Sequence, residues 1–98
     1  MAQLIWAPKA LQDLELIFEY IQLDSPDNAR SFIRQLIEEA AQITEFPLAG
    51  RKVTEYKDKK VREKLYRNYR IIYRIREVHI EIVTIVHQSR RIGSTIGN

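Results

Sequence analysis

Cysteine is absent from the 98 residues, so disulfides and thiolate metal sites are excluded and the core must hold without a covalent staple. Histidine occurs only twice, and glycine and proline three times each. Two histidines without helical pairing make no convincing metal site, and no glycine-rich run could cradle a phosphate. A Ser-His-Asp set in recognisable context is missing too. The opening stretch, Met1 to Trp6, lacks the basic start and apolar run of an export signal. No apolar stretch approaches the roughly 20 residues that cross a bilayer. A cytoplasmic protein without membrane contact, cofactor or metal is the expectation.

What is present is the balance of a soluble globular chain, 45% hydrophobic and 30% charged, too apolar for disorder. Residues 1–98 are long enough for one domain with one core. The net charge of +3 conceals a division along the chain. Residues 1–50 carry three bases (Lys9, Arg30, Arg34) against eight acids, a balance of −5; residues 51–98 carry thirteen bases against five acids, a balance of +8. An anionic partner would meet the second half.

Gln3 to Trp6 is apolar enough for an opening strand, stopped by Pro8, which suits the first turn of a helix. Leu11, Leu14, Phe18 and Ile21 recur at three- and four-residue spacing and predict an amphipathic helix to about Leu23. Asp24-Ser25-Pro26-Asp27 supplies a cap, a proline for the first helical position and an acid for the positive end of the dipole. The second helix carries a stripe of Ala29, Phe32, Ile33, Leu36, Ile37, Ala40 and Ile43 and ends by Phe46, ahead of Pro47. The short link predicts an antiparallel hairpin.

After Gly50 the period falls to two and β-branched and aromatic residues take over. Strands are predicted at Val53 to Glu55, Val61 to Leu65, Tyr69 to Arg76 and His79 to His87, the last apolar on both faces as a central strand requires. The fold class is therefore α+β: an N-terminal strand and a two-helix hairpin packed on a twisted antiparallel sheet of three to four strands.

Phe18, Phe32, Tyr69, Tyr73 and Trp6 are read as packing residues. The basic set offers more: Arg51, Arg62, Lys64, Arg67, Arg70, Arg74, Arg90 and Arg91, with His87, are the candidates for binding an anion. Arginine forks suit phosphate and carboxylate, although long arginine stems can equally cover a solvated sheet face. His87 followed by Gln88-Ser89-Arg90-Arg91 places an imidazole beside two guanidiniums at a strand edge. With Arg62, Arg67 or Arg90 as phosphate clamps, His87 could act as acid or base in cleaving RNA. The structural alternative is a histidine that caps the strand end by hydrogen bonding.

Trp6-Ala7-Pro8-Lys9-Ala10-Leu11, Asp24-Ser25-Pro26, Pro47-Leu48-Ala49-Gly50-Arg51, Val61-Arg62-Glu63, Tyr69-Arg70-Ile71-Ile72-Tyr73-Arg74 and Val86-His87-Gln88-Ser89-Arg90 occur in an order and spacing that resembles the RelE/ParE superfamily of toxins across nearly the whole chain. The resemblance implies a two-helix hairpin on a twisted antiparallel sheet. It also implies the toxin half of a type II toxin-antitoxin pair, with a ParD-like or similar antitoxin as partner in a hetero-oligomer. RelE-type members cut mRNA on the ribosome with basic residues and a histidine or tyrosine. ParE-type members poison DNA gyrase, and no hydrolytic residues are established for them. The Arg-Glu after Val61, the His-Gln-Ser-Arg after Val86 and a C-terminal segment without tyrosine are closer to the ParE branch. The resemblance thus implies gyrase as target, with ribosome and mRNA as the alternative.

Overall fold

The computed structural model describes residues 3–90. Strand β1 (Gln3–Trp6) leads into helix α1 (Pro8–Gln22), with proline in the first turn, where its missing N–H costs nothing. Pro26 opens α2 (Pro26–Ala41) in the same way, and the Ser25 side chain caps it by accepting the Asn28 amide at 3.2 Å. The helix then tightens into a 3-10 turn at Gln42–Thr44. Phe46, with φ −136° and ψ 69°, has left the helical region, as the residue before a proline does. A second 3-10 turn, Pro47–Ala49, delivers the chain to the sheet.

Strands β2 (Arg51–Lys52), β3 (Val61–Tyr66), β4 (Tyr69–Ile75) and β5 (His79–His87) complete a five-stranded sheet in the order β1-β5-β4-β3-β2. The class is α+β, as expected, and β5 is a central strand. The pairings β2–β3, β3–β4 and β4–β5 are antiparallel, whereas β1 pairs with β5 in parallel, Gln3 opposite His79 and Trp6 opposite Ile82. The expected strand at Val53 to Glu55 is corrected to Arg51–Lys52. Val53, 2% exposed, turns inward instead, and its carbonyl accepts the Tyr56 amide at 3.1 Å in a turn.

Both faces of the sheet are covered, by different means. On one, Ala10, Leu14 and Ile17 of α1 and Leu36 and Ala40 of α2 pack with Ile43 against Ile71, Tyr73, Ile80, Ile82 and Ile85. On the other, the loop between β2 and β3 lays Val53 and Tyr56 over Val61 and Ile72, with Val83 alongside. Each fully buried Leu, Ile or Val among them contributes about 1.5–3 kcal/mol by leaving water. The register of β4 against β5 slips between Ile72 and Tyr73. This bulge lets Ile82 and Ile85, three residues apart, share the helix-side core.

The buried face of α1 is rolled from the expected stripe. Leu11 is 49% exposed, and Asp13 is buried beside Leu14. The cause is a polar tie: Asp13 accepts the Ile85 amide at 3.0 Å and is also bonded by the Thr84 hydroxyl and by Lys9. A carboxylate that satisfies a buried amide and a hydroxyl can occupy an inward position that its polarity alone would forbid. Asp13→Ala strands the Ile85 amide without an acceptor and is expected to cost about 2 kcal/mol, read as a lowered urea midpoint at unchanged slope. Among the described residues no helix is long and apolar enough to cross a membrane.

Candidate functional site

Strand alternation deals the candidate residues to two opposite faces. Arg62, Lys64 and Tyr66 of β3 point to the helix side, beside Tyr73, Ile71 and Tyr69 in register. Arg62 donates from its Nη1 to the carbonyls of Gly50 at 2.9 Å and Leu48 at 3.3 Å. Lys64 donates to the Glu39 carbonyl at 2.9 Å and the Gln42 amide oxygen at 3.0 Å, with the Glu39 carboxylate 3.2 Å away. Tyr66 donates to Gln35 at 2.6 Å. This column ties β3 to α2 and to the loop before β2.

The same loop is held from below by Tyr73, whose hydroxyl donates to the Pro47 carbonyl at 2.5 Å. Burial pushes the Tyr73 phenol pKa above its ordinary value, against smaller lowering by the Gly50 backbone and Arg62. Phe46 and Leu48, on this clamped loop, are 70% and 71% exposed.

On the helix-free face, Arg70 is buried between two carboxylates. Its Nε donates to Glu63 at 2.6 Å, and its two terminal nitrogens donate to the two oxygens of Glu55, each at 2.9 Å. Arg51 completes the row by donating from Nε to the other Glu63 oxygen at 2.7 Å. A terminal nitrogen of Arg70 also reaches the Arg90 carbonyl at 3.3 Å, which fixes the chain after β5. Around this row lies a cleft of about 360 Å³, rimmed by Arg51, Lys52, Thr54, Ser89 and Arg90. Arg74 is half-buried on the same face. Its Nε and the Tyr56 hydroxyl are buried with no partner among the described residues. Burial raises the Tyr56 pKa, and Arg74 lowers it in part.

His87 ends β5 on the helix side. Its Nδ1 accepts the Ser89 amide at 3.1 Å and lies 2.8 Å from the Ser89 hydroxyl. In the neutral ring Nδ1 therefore holds the lone pair and Nε2 the proton. The ring stands edge-on to Tyr69 at 5.3 Å and 79°, and Tyr69 in turn packs on Phe32 of α2 at 5.6 Å. Burial pushes the Tyr69 phenol pKa up, with Tyr20 adding to the rise and Arg90 opposing it. These aromatics floor a groove of about 820 Å³ between α1 and the strand ends, with Leu16, Tyr20 and Ile21 along its wall and His87 and Arg90 at its end.

Arg67 sits at the tip of the β3–β4 hairpin with φ 51°, in the left-handed region that a non-glycine residue rarely adopts. Its Nε is 3.4 Å from the Tyr66 hydroxyl and its guanidinium 5.6 Å from that ring. Arg91 lies outside the described residues.

The structure thus brings Arg51, Arg70 and Arg90 together and sets Arg62 apart from His87. His87 shares a cross-strand row with Tyr69 and Tyr66, whereas Arg62 is four residues along β3, about 13 Å at strand rise. Sequence reasoning assigned no role to Glu55 and Glu63, the acids that position Arg70 and Arg51, or to Asp13, which ties α1 to β5. A signal existed for Glu63: it alternates with Val61 and Leu65, at an inward position that an acid takes only with a partner. Asp13 likewise follows Ala10 and precedes Ile17 at helical spacing on the buried face.

A family profile described as "ParE toxin of type II toxin-antitoxin system, parDE" matches residues 4–92. Among solved structures, the fold is similar to the "Chromosomal ParDE TA system from P. aeruginosa", with a TM-score of 0.75 and 24% identity over 89% of this chain and 96% of that one. A search of curated proteins matches none. With the profile spanning β1 through the end of β5 and the sheet and hairpin arranged as in that structure, the chain belongs to the ParE toxin family of type II toxin-antitoxin systems.

Proposed function

We propose that the chain arrests growth by binding DNA gyrase and holding it in its DNA-cleaved state, and that a cognate ParD-like antitoxin neutralises it. The observation that carries binding over hydrolysis is the engagement of His87 and Arg62 by the protein itself, in different cross-strand rows. Nδ1 of His87 is occupied by Ser89, and Nη1 of Arg62 by two carbonyls. General acid–base catalysis needs a group within hydrogen-bond reach of the proton it moves, with a clamp beside it. Here His87 and Arg62 stand in different cross-strand rows.

The antitoxin reading rests on family membership and on the helix layer. Leu16, Tyr20 and Leu23 are 62%, 74% and 84% exposed along α1, beside the groove floored by Phe32 and Tyr69. A large aromatic and two leucines at helical spacing are the anchors that a partner helix or strap uses for affinity.

The test is to incubate the purified protein with gyrase, plasmid and ATP, denature, and look for linear DNA. Accumulation of linear plasmid is expected. The His87→Ala variant is expected to keep its toxicity within about tenfold, because removing a true acid or base costs ~10²–10⁴ in rate. A loss of that size with the fold intact, and no linear plasmid, would move the assignment to ribosome-dependent mRNA cleavage.

A further inference from the structure

The division of charge along the chain becomes a division between faces once the chain is folded. The two helices lie together on one side of the sheet, and with the turns that follow them they hold eight of the thirteen acids. Glu15, Glu19, Asp24, Asp27, Glu38 and Glu45 are all exposed there or in the linking turns. The loop between β2 and β3 lies over the other side, its Val53 and Tyr56 packed on Ile72, and its Lys57, Lys59 and Lys60 exposed around a single exposed acid, Asp58. With Arg51, Lys52 and Arg90 around the adjoining cleft, the helix-free face is basic. Among the described residues Lys52, Lys57, Lys59, Lys60 and Arg90 form no ion pair, while Arg51, Arg70 and Arg76 are paired with Glu63, Glu55 and Glu81. The paired arginines set the surface and the unpaired groups are left to meet a ligand.

Apolar and aromatic exposure is divided the other way. Leu11, Leu16, Tyr20 and Ile37 are on the helices, Leu23 directly follows α1, and Phe46 and Leu48 are on the loop beyond α2, whereas the strands leave Ile5 and Leu65 only 39% and 37% exposed and Val78 is exposed in the β4–β5 turn. The only aromatic of the basic loop, Tyr56, is 8% exposed. A protein partner needs apolar anchors, and a single-stranded nucleic acid needs aromatic faces on which bases stack. A duplex needs neither, because its phosphates are held by dispersed cations. The molecule measures 39 × 30 × 21 Å, so its broad face spans about one turn of B-form helix, ~34 Å.

We infer that the helix-free face binds duplex DNA through its phosphate backbone, without sequence preference, using Lys52, Lys57, Lys59, Lys60 and Arg90. The helix layer is left free for protein contacts at the same time, so DNA and a protein target can be held on opposite sides of one small domain. This goes beyond the gyrase reading and does not depend on it.

The test is fluorescence anisotropy of a labelled 20-bp duplex with the full chain, in the absence of gyrase, over a range of salt concentrations. Five phosphate contacts give a slope of log affinity against log salt of about −4.5. The variant Lys57→Gln/Lys59→Gln/Lys60→Gln, at exposed positions, is expected to bind about tenfold more weakly or worse, with the slope reduced to about −2. The helix-layer variant Arg30→Gln/Arg34→Gln is expected to bind like the parent. An equal loss in both variants would mean that net charge alone is responsible and would overturn the assignment, as would tighter binding of a 20-nucleotide single strand or no duplex binding at about 50 mM salt. Circular dichroism of each variant separates lost binding from lost fold. Because gyrase is absent, failure here leaves the linear-plasmid test of the gyrase reading untouched.

Discussion

Arg70→Ala lowers the unfolding free energy by about 3–5 kcal/mol, the expected cost of removing one member of a buried charge set. The side chains of Arg70, Glu63 and Glu55 are 9%, 5% and 12% exposed, so solvent does little to screen what is left behind. Without the guanidinium, Glu63 keeps the exposed Arg51 as its one ion-pair partner among the described residues, and the Glu55 oxygens lose two bonds of 2.9 Å. A domain of this size is stable by about 5–15 kcal/mol, so the variant sits near the edge of folding. Equilibrium urea unfolding reads the loss. Neutralising all three groups as Arg70→Met/Glu55→Gln/Glu63→Gln should recover most of it, because the cost lies in buried charged carboxylates that lose their Arg70 bonds and not in the absent cation. A single-variant loss below about 1 kcal/mol would show that water reaches the carboxylates and that Arg70 is only a surface ion pair.

Gly50→Ala is expected to destabilise by about 2–4 kcal/mol, although its backbone, at φ −67° and ψ 150°, suits any residue. The obstacle is space. A Cβ at this position would overlap the Tyr73 hydroxyl and stand 2.9 Å from the Glu63 carbonyl oxygen. The hydroxyl can retreat only by giving up its 2.5 Å bond to Pro47, worth about 1 kcal/mol, and sheet backbone cannot retreat at all without repacking. Tyr73→Phe removes the nearer obstacle, so Gly50→Ala should cost less in the Tyr73→Phe background than in the parent. A double-mutant cycle in urea measures that coupling, and simple additivity of the two changes would sink the steric account.

Much of the architecture was legible because it is written in local signals. Two prolines at helix starts, the Ser25 cap, the proline at position 47 and the change of period after Gly50 each act within a few residues, so they survive being read one window at a time. The bounds of β5, His79 to His87, follow from its own apolar run. Where expectation and fold part, a distant partner intervened. Val53 was read as part of a strand by its β-branched side chain, but the second core drew it inward and left the two preceding residues to pair with β3. The spacing of Leu11 places it in the buried stripe of α1, but Asp13 meets a hydroxyl and an amide 71 and 72 residues away and rolls the helix.

The candidate site shows the same limit. Its residue types were evident in the sequence, since a histidine followed by arginines at a strand end and a basic second half are compositional facts. Their company was not. Strand alternation sent Arg62 and Lys64 to the helix side and Arg70 to the other, and only the pairing of β3 with β4 placed Glu63 where it accepts a bond from Arg70.

By itself, then, the sequence determined the element order, the positions where helices begin and the imbalance of charge between its halves, because propensity, capping and net charge are sums over neighbours. Tertiary structure alone decided that β1 joins the sheet in parallel, that Arg70 is buried between acids, and that the charge imbalance becomes two opposite faces. Those depend on which residues meet across the fold, and a buried charge or a free one is defined by what stands within about 4 Å of it in space.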